Sequence, residues 1–256
     1  MAGTNLDIEK VIISTGNILS LNDITKKSGQ NPTEELVEAI NITIKEYQNG
    51  SPLKPNPDHL MVISRPNDDL SIKMGEHDIS DLKIGLKIFV TNNNQQLTVQ
   101  AIEKALIILN VASVDDVIVS FKRANDVTRD DLDQIKTVWT ILENYIKNEK
   151  IKHIGIADVE EATFRAIYDW ANIKPSIIQI NLATCCVVPP SLQAFCKDKE
   201  VKLLTHSDPS DILPVPSIEG IFGKPLVLKW ALRFLTHIKC RGVLTTKGYL
   251  LNLDVD

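Results

Sequence analysis

Short apolar runs recur along the chain and are separated by longer, more polar segments. Each run spans four to six residues, which is the usual length of a strand buried in a sheet. The runs are 11–14, 60–64, 86–91, 116–120, 152–157, 177–181, 201–205 and 242–245. We therefore predict eight strands.

Between most of these runs, apolar residues recur every three or four positions, as on one face of a helix. This spacing is found over 132–146, 164–171 and 228–238. Strands that alternate with helices predict a parallel sheet, because parallel neighbours must be joined by long crossovers. Eight such units favour one α/β domain over residues 1–256, a single (β/α)8 TIM-type barrel. The alternative is a doubly wound open sheet. Residues 50–85 look like loop or short irregular helix, which predicts a degenerate second strand-helix unit.

The bulk composition is that of a folded globular protein. Of the 256 residues, 43% are hydrophobic and 24% charged, and the net charge is −5, so disorder is not expected. The acidic balance argues against a nucleic-acid or anionic-membrane partner, because both require clustered Lys and Arg. The first residues lack the apolar core of a secretory signal, and no apolar run is long enough to span a bilayer. We expect a cytoplasmic protein.

Polar residues follow several predicted strands, at the end where α/β barrels carry their functional groups. Cys185 and Cys186 follow the run at 177–181, and His206 and Asp208 follow the run at 201–205. His206 and Asp208 could be taken for a catalytic pair, but no third group completes a nucleophile-base arrangement. We favour Asp208 as the cap of a short helix opened by Pro209, with His206 ordering the loop.

The four cysteines lie in the last third of the chain without C-x-x-C spacing, so we expect thiols rather than a disulfide framework. Cys185 and Cys186 are either reactive thiols or a buried small residue with a bystander. Cys240 lies between two cations that would favour its thiolate, unless it is tucked against the barrel. Cys196 fits an apolar helical pattern and is expected in the core. Cys185, Cys186, Cys196 and His206 could be zinc ligands, but adjacent cysteines rarely fit one tetrahedral site.

Several segments resemble one family closely. They include QINLATCCVVPP from residue 179, LLTHSDPSDIL (203–213), IKHIGIADVEEATFRAIYDWANIKPS (151–176) and WALRFLTHIKCRGVLTTKGYLL (230–251). The first half matches more loosely, through ISTGNIL, TEELVEAI and LKIFVTNNN. The resemblance is to the modifier, or regulatory, subunits of glutamate-cysteine ligase, which are non-catalytic relatives of the aldo-keto reductases. It implies an aldo-keto reductase-like barrel.

The resemblance also implies that the reductase chemistry has been lost. Where the reductases carry a catalytic Lys this sequence has Asn92 or Asn93, and where they carry His it has Ser120. After the second predicted strand, no Tyr occurs before Tyr145. The helix with which reductases hold the dinucleotide phosphates has no counterpart, so we expect no cofactor, no metal and no catalytic residue. An active NADPH-dependent aldo-keto reductase is the alternative.

The function implied by the resemblance is regulatory. The chain would bind the catalytic subunit of glutamate-cysteine ligase as a heterodimer and modulate its glutamate use and its feedback inhibition by glutathione. We hypothesise that one or more of Cys185, Cys186 and Cys240 form an intersubunit disulfide, because all three are predicted at loops or element ends.

Overall fold

One mixed sheet forms the centre of the fold. The computed structural model describes residues 9–21, 24, 29–50, 60–91, 94–122, 130–182 and 187–255. The strands of these residues are β1 (Lys10–Ser14), β2 (Leu60–Ser64), β3 (Leu82–Val90), β4 (Val114–Phe121), β5 (Ile151–Ala157), β6 (Ile177–Asn181), β7 (Lys202–His206), β8 (Val227–Ile238) and β9 (Val243–Asp254). Each of the eight predicted runs overlaps one of them.

The helices of the described residues connect most of the parallel strands. They are α1 (Pro32–Gly50), α2 (Leu70–Gly75), α3 (Gln95–Leu109), α4 (Leu132–Lys147), α5 (Glu161–Trp170), α6 (Pro190–Asp198) and α7 (Val215–Phe222), with short 3-10 helices at Ile18–Ser20 and Ile79–Asp81. The helix of the second unit, α2, has only six residues, in agreement with the predicted degenerate unit. None of the described helices is both long enough and apolar enough to cross a membrane.

The strand order is β2-β1-β9-β8-β3-β4-β5-β6-β7. Strands β1 and β2 are parallel, as are β3 to β7, whereas β8 and β9 form an antiparallel hairpin that lies between these two blocks. The α/β class and the parallel-rich sheet were predicted correctly. The predicted closed barrel is not confirmed, because the hairpin separates β1 from β3 and the sheet of the described residues is open, with β2 and β7 at its edges.

The helix predicted over 228–238 is wrong, since these residues form β8. Their apolar residues match a helical period, but β8 lies in the middle of the sheet and is covered on both faces. Leu232 packs in one core and Ala231 in the other. A strand buried on both faces shows a nearly continuous apolar pattern, which periodicity cannot distinguish from a buried helix.

The largest core lies between helices α3 to α6 and one face of the sheet, called the core face below. On β3 this face carries Ile84, Leu86 and Ile88, which are at most 2% exposed. Trp139 of α4 is fully buried here, and its indole N–H donates to the carbonyl of Ile173 at 3.0 Å. Burial of so much apolar surface is the main source of stability for this layer.

A second core lies on the opposite face, where α1 and α7 cover β1, β2 and β9. Helix α1 begins with a capping box. The side chain of Asn31 accepts from the Glu34 N–H at 2.9 Å, and the Glu34 carboxylate accepts from the Asn31 N–H at 3.3 Å. These bonds satisfy two N–H groups that the first turn of a helix leaves unpaired. Phe89 and Ala231 join this core from β3 and β8.

Candidate functional site

The candidate site lies on the face of β3 to β8 that points away from α3 to α6. Because side chains alternate along a strand, β3 presents Lys83, Gly85 and Lys87 on this face, between the apolar residues of the core face. The neighbouring strands add polar residues to it, among them Asp116 and Ser120 of β4. The same strands thus have one apolar face and one that is largely polar.

This second face is concave. Strands β3 and β7 are four inter-strand steps apart, which in a flat sheet would be about 19 Å. Nevertheless, Lys87 Nζ on β3 lies 2.7 Å from Asp208 Oδ2, two residues after β7. Only a strongly curled sheet can bring these residues into contact, so we call this side the concave face. Described residues show no backbone pairing between β7 and β8, and side chains bridge the two strands instead.

Asp208 is the centre of the bridge. Its side chain is 3% exposed and accepts from Lys87, while the Arg233 guanidinium of β8 binds both of its oxygens, with Nη2 3.0 Å from Oδ2. The Asn181 side chain donates to the Asp208 carbonyl at 2.6 Å. A buried carboxylate is tolerated only when it is paired and fully hydrogen-bonded, and Asp208 meets both conditions.

The charges of this cluster are strongly coupled. Burial alone would raise the pKa of Asp208, but hydrogen bonds from His206 and Arg233 and the nearby cations outweigh it and hold that pKa far below its ordinary range. For Lys87, burial prevails over the attraction of Asp208 and lowers the pKa. For Arg233, the bonds to Asp208 outweigh burial and raise the pKa. The carboxylate is therefore held ionised between two cations.

His206 extends the cluster to Asp158. Its Nε2 lies 2.8 Å from Asp158 Oδ1, and its Nδ1 is 3.2 Å from Asp208 Oδ2 and 3.1 Å from the Asp208 backbone nitrogen. In the neutral ring Nδ1 accepts from that N–H, whereas in the protonated ring both nitrogens donate to carboxylates. Burial would lower the pKa of His206, but its hydrogen bonds with Asp158 and Asp208 outweigh burial and raise it.

The sequence interpretation of this loop was half right. His206 does order it, through the Asp208 N–H. Asp208 does not cap a helix, because α7 begins only at Val215 and Pro214 occupies its N-cap position. The capping interpretation overlooked the cations on β3 and β8 that compete for this carboxylate.

The geometry of Ser120 disfavours nucleophilic chemistry. Its hydroxyl donates to Asp158 Oδ2 at 3.0 Å, while His206 contacts the other oxygen of the same carboxylate. The Ser120 hydroxyl and the His206 ring both bind the Asp158 carboxylate and do not bind each other. The ring is therefore not placed to take the hydroxyl proton.

Tyr249 of β9, which the sequence analysis did not consider, lies in the second core. Its hydroxyl donates to Glu35 Oε1 at 2.6 Å, and Lys247 binds the other oxygen of Glu35 at 2.6 Å. Burial raises the pKa of Tyr249, so this phenol holds its proton more tightly than usual. Lys247 is therefore half-buried in an ion pair with Glu35.

Two cavities open on the concave face. One, of about 410 Å³, lies at the carboxyl ends of β4, β5 and β6, where Ser120, Asp158 and Asn181 line it. The other, of about 360 Å³, lies towards the amino ends of β3 and β4. Both have volumes typical of small-molecule sites. Gln179 of β6 borders both cavities.

The predicted site residues are only partly described. Cys185, Cys186, Asn92 and Asn93 lie outside the described residues. Ser120 lies in the cluster, as given above. Cys240 is an exposed free thiol in the turn between β8 and β9, and Cys196 is buried in the main core as expected. Among the described residues, no group of three or more His, Cys, Asp or Glu side chains is arranged to hold a metal ion.

Lys87 and Arg233 are the residues that the sequence analysis missed. Both lie inside apolar runs, LKIFV and WALRFL, which were read only for their hydrophobic pattern. A cation within an apolar strand is itself a signal, because it has to find a partner if it is buried. Asp208, which follows a predicted strand, is the carboxylate that pairs with both cations.

Comparison with curated proteins finds close relatives of this sequence. It is 32% identical to the glutamate–cysteine ligase regulatory subunit of Mus musculus over 256 residues, which cover 93% of this chain and 90% of that protein. The proteins of the same name from Homo sapiens and Bos taurus are 32% and 31% identical, with the same coverage. The similarity therefore extends over nearly the whole of each chain.

Solved structures similar to this chain include aldo-keto reductases. An aldose reductase from Giardia lamblia gives a TM-score of 0.39 at 18% identity, covering 68% of this chain and 53% of that one. The aldo-keto reductase MGS-M4 from a deep-sea metagenome gives 0.37 at 17% identity, covering 45% of this chain and 40% of that one. No protein-family model matches the sequence.

Proposed function

Because the chain belongs to the family of glutamate–cysteine ligase regulatory subunits, we propose that it binds the catalytic subunit of this ligase in a heterodimer. In that complex it modulates the use of glutamate and the feedback inhibition by glutathione. The observation that carries the proposal is the identity of 32% over 93% of the chain and 90% of the mouse protein. Similarity of this extent covers the whole folded unit and not one shared segment.

Regulation by binding has a physical requirement. A partner changes the kinetics of an enzyme only if it binds one conformation of that enzyme more tightly than another, since equal affinity for both shifts nothing. The chain therefore has to present a surface that distinguishes two states of the catalytic subunit.

The test is an assay of γ-glutamylcysteine formation by the catalytic subunit with and without this chain. We expect the chain to lower the glutamate concentration that gives half-maximal rate and to raise the glutathione concentration that gives half-inhibition. Chain that has been unfolded by heating is the matched control. The proposal is rejected if the glutamate and glutathione curves are the same with and without the folded chain and the two proteins elute separately in gel filtration.

We also propose that the chain is a pseudoenzyme, acting as one domain in the cytoplasm without a cofactor. Support comes from Ser120, which stands where the resemblance places the reductase His and whose hydroxyl donates a hydrogen bond to Asp158, and from Tyr249, whose hydroxyl donates to Glu35. The nine strands of the described residues share one sheet, which favours a single domain. Quenching of protein fluorescence by NADPH, or turnover of a simple aldehyde, would overturn the pseudoenzyme assignment.

The intersubunit disulfide proposed for Cys185, Cys186 and Cys240 needs an oxidant. Joining two thiols releases two electrons and two protons, which a small disulfide such as glutathione disulfide takes up as it becomes two thiols. Of the three cysteines, Cys240 lies in the described part of the chain, exposed in the β8–β9 turn and accessible to a partner.

Non-reducing electrophoresis of the complex after treatment with glutathione disulfide tests the bridge. Replacing all three cysteines by Ser should remove the crosslinked band, and Cys240→Ser alone separates this thiol from the adjacent pair. Cys196→Ala is the control, because Cys196 is 3% exposed and should leave the band unchanged. A band that persists in the triple variant rejects the disulfide, and the effect on ligase kinetics is measured separately.

A further inference from the structure

The cavity of about 360 Å³ has no role in the regulatory function proposed above. It lies between the amino ends of β3 and β4 and the end of β8, away from the carboxyl strand ends at which α/β folds place their reaction sites. Its walls come from β3, β4, β6, β7 and β8, so the curl of the sheet creates it. Its volume is sufficient for a small molecule.

The charges around this cavity favour an anion. Among the described residues, four cationic side chains line it, against one carboxylate. The cations are Lys83, Lys87, Arg233 and Lys239, and the carboxylate is Asp116.

Part of this positive charge is already compensated. Asp208 pairs with Lys87 and Arg233 and neutralises part of their charge. Asp116 lies 2.7 Å from Lys83. Lys239 donates to the Ser80 carbonyl at 2.6 Å. The carboxylate of Asp115 attracts it, but the two form no direct ion pair among the described residues. A positive excess remains at the cavity.

The other walls are apolar, with one unsatisfied acceptor. Ile118 and Leu235 line the cavity, and Leu204 is 40% exposed beside them. The side-chain oxygen of Gln179 is buried and has no hydrogen-bond partner in the described part of the chain. A buried acceptor without a partner is unfavourable because it has lost its hydrogen bonds to water, and a ligand N–H would restore one.

We propose that this cavity binds a small carboxylic acid with an apolar body and an N–H group, as found in N-acylated amino acids. The carboxylate pairs with Lys239 and the neighbouring cations, the apolar part packs against Leu204 and Leu235, and the N–H donates to Gln179. The proposal goes beyond the regulatory function and is tested on the isolated full-length chain, so the two stand or fall separately.

His237 provides a reporter inside the cavity. Burial and the charge of Lys83 lower its pKa, so the ring is mainly neutral at pH 7. A carboxylate bound beside it favours the charged ring and raises its pKa. NMR titration of His237 therefore detects occupation of this cavity, whereas a general affinity measurement would not locate the ligand.

The experiment compares N-acetyl-leucine with N-acetyl-leucinamide, which carries a neutral carboxamide in place of the carboxylate. We expect the acid to bind with a dissociation constant on the order of 1 mM or tighter and to raise the pKa of His237. The amide should bind about tenfold more weakly, because it loses a charge-assisted hydrogen bond. Equal binding of acid and amide, or no shift of His237 with either, overturns the proposal.

Two variants and a control confirm the location. Lys239→Gln should weaken binding of the acid about tenfold, whereas Lys199→Gln, at an exposed lysine of the α6 C-cap, should not. Gly85→Leu should abolish binding by filling the cavity. A Cβ built at Gly85 has its nearest neighbour at 4.0 Å, so the strand itself tolerates a side chain there. Unchanged affinity in Lys239→Gln also rejects the site.

Discussion

The two faces of the same strands obtain their stability in different ways. On the core face, Ile84, Leu86 and Ile88 of β3 pack against helices, and their contribution depends on buried area and little on pH or salt. On the concave face, Lys87 and its neighbours depend on one carboxylate, Asp208. Alternation of side chains along a strand can therefore separate two layers. The apolar layer tolerates changes of pH and salt, whereas in the ionic layer each buried charge requires an opposite charge beside it.

Of the substitutions considered, removal of the Asp208 carboxylate should have the largest effect on stability. Asp208→Ala leaves Lys87 and Arg233 buried without their counter-charge, so we expect a loss of about 3–5 kcal/mol in the free energy of unfolding. The control is Asp211→Ala, which removes an exposed pair with Lys122 and should change stability by less than about 1 kcal/mol. Urea unfolding measures both. Similar small losses in the two variants would mean that the concave face does not depend on its ionic centre.

Substitution of two glycines of the concave face by alanine should change stability by smaller and unequal amounts. A Cβ at Gly155 of β5 would lie 2.6 Å from the Cβ of Ile177, whereas one at Gly85 meets nothing nearer than 4.0 Å. Gly155→Ala should therefore lose about 1–3 kcal/mol through overpacking. Gly85→Ala should change stability by less than about 1 kcal/mol. Equal thermal denaturation temperatures for the two variants would contradict the tight contact between β5 and β6.

The smallest effect is on the pH dependence of stability. The pKa of His206 is raised in the folded chain, so its stabilising contribution is complete below its ordinary pKa of about 6.5 and is lost as pH rises through the folded value. His206→Gln should remove this loss. Urea midpoints measured from about pH 6 to about pH 8 should fall in the parent chain and be flatter in the variant. Parallel profiles would show that His206 does not titrate with the cluster.

The strands were predictable from sequence, but their connection was not. Apolar runs located each predicted strand because burial imposes a local pattern. The prediction for 228–238 failed because the residues at 230–232 are buried on both faces of the strand. This single error converted an antiparallel hairpin into a crossover and an open sheet into a closed barrel.

The candidate site was predicted in part for a related reason. His206 and Asp208 were recognised because they follow a strand, which is a local property. Their partners Lys87 and Arg233 reach them only through the curl of the sheet, across 121 and 25 residues of sequence respectively. No local pattern encodes the curl, so the pairing could not be inferred from spacing.

A nascent chain cannot complete this sheet in the order in which the ribosome synthesises it. Strands β1 and β3 appear early, but each pairs on one side with the hairpin of residues 227–254, which is synthesised after the other described strands. Until then both strands keep an unpaired edge, and such edges readily pair with other chains. We therefore expect the aggregation risk to be greatest in the interval before residues 227–254 are synthesised, when chaperones that shield strand edges are needed most.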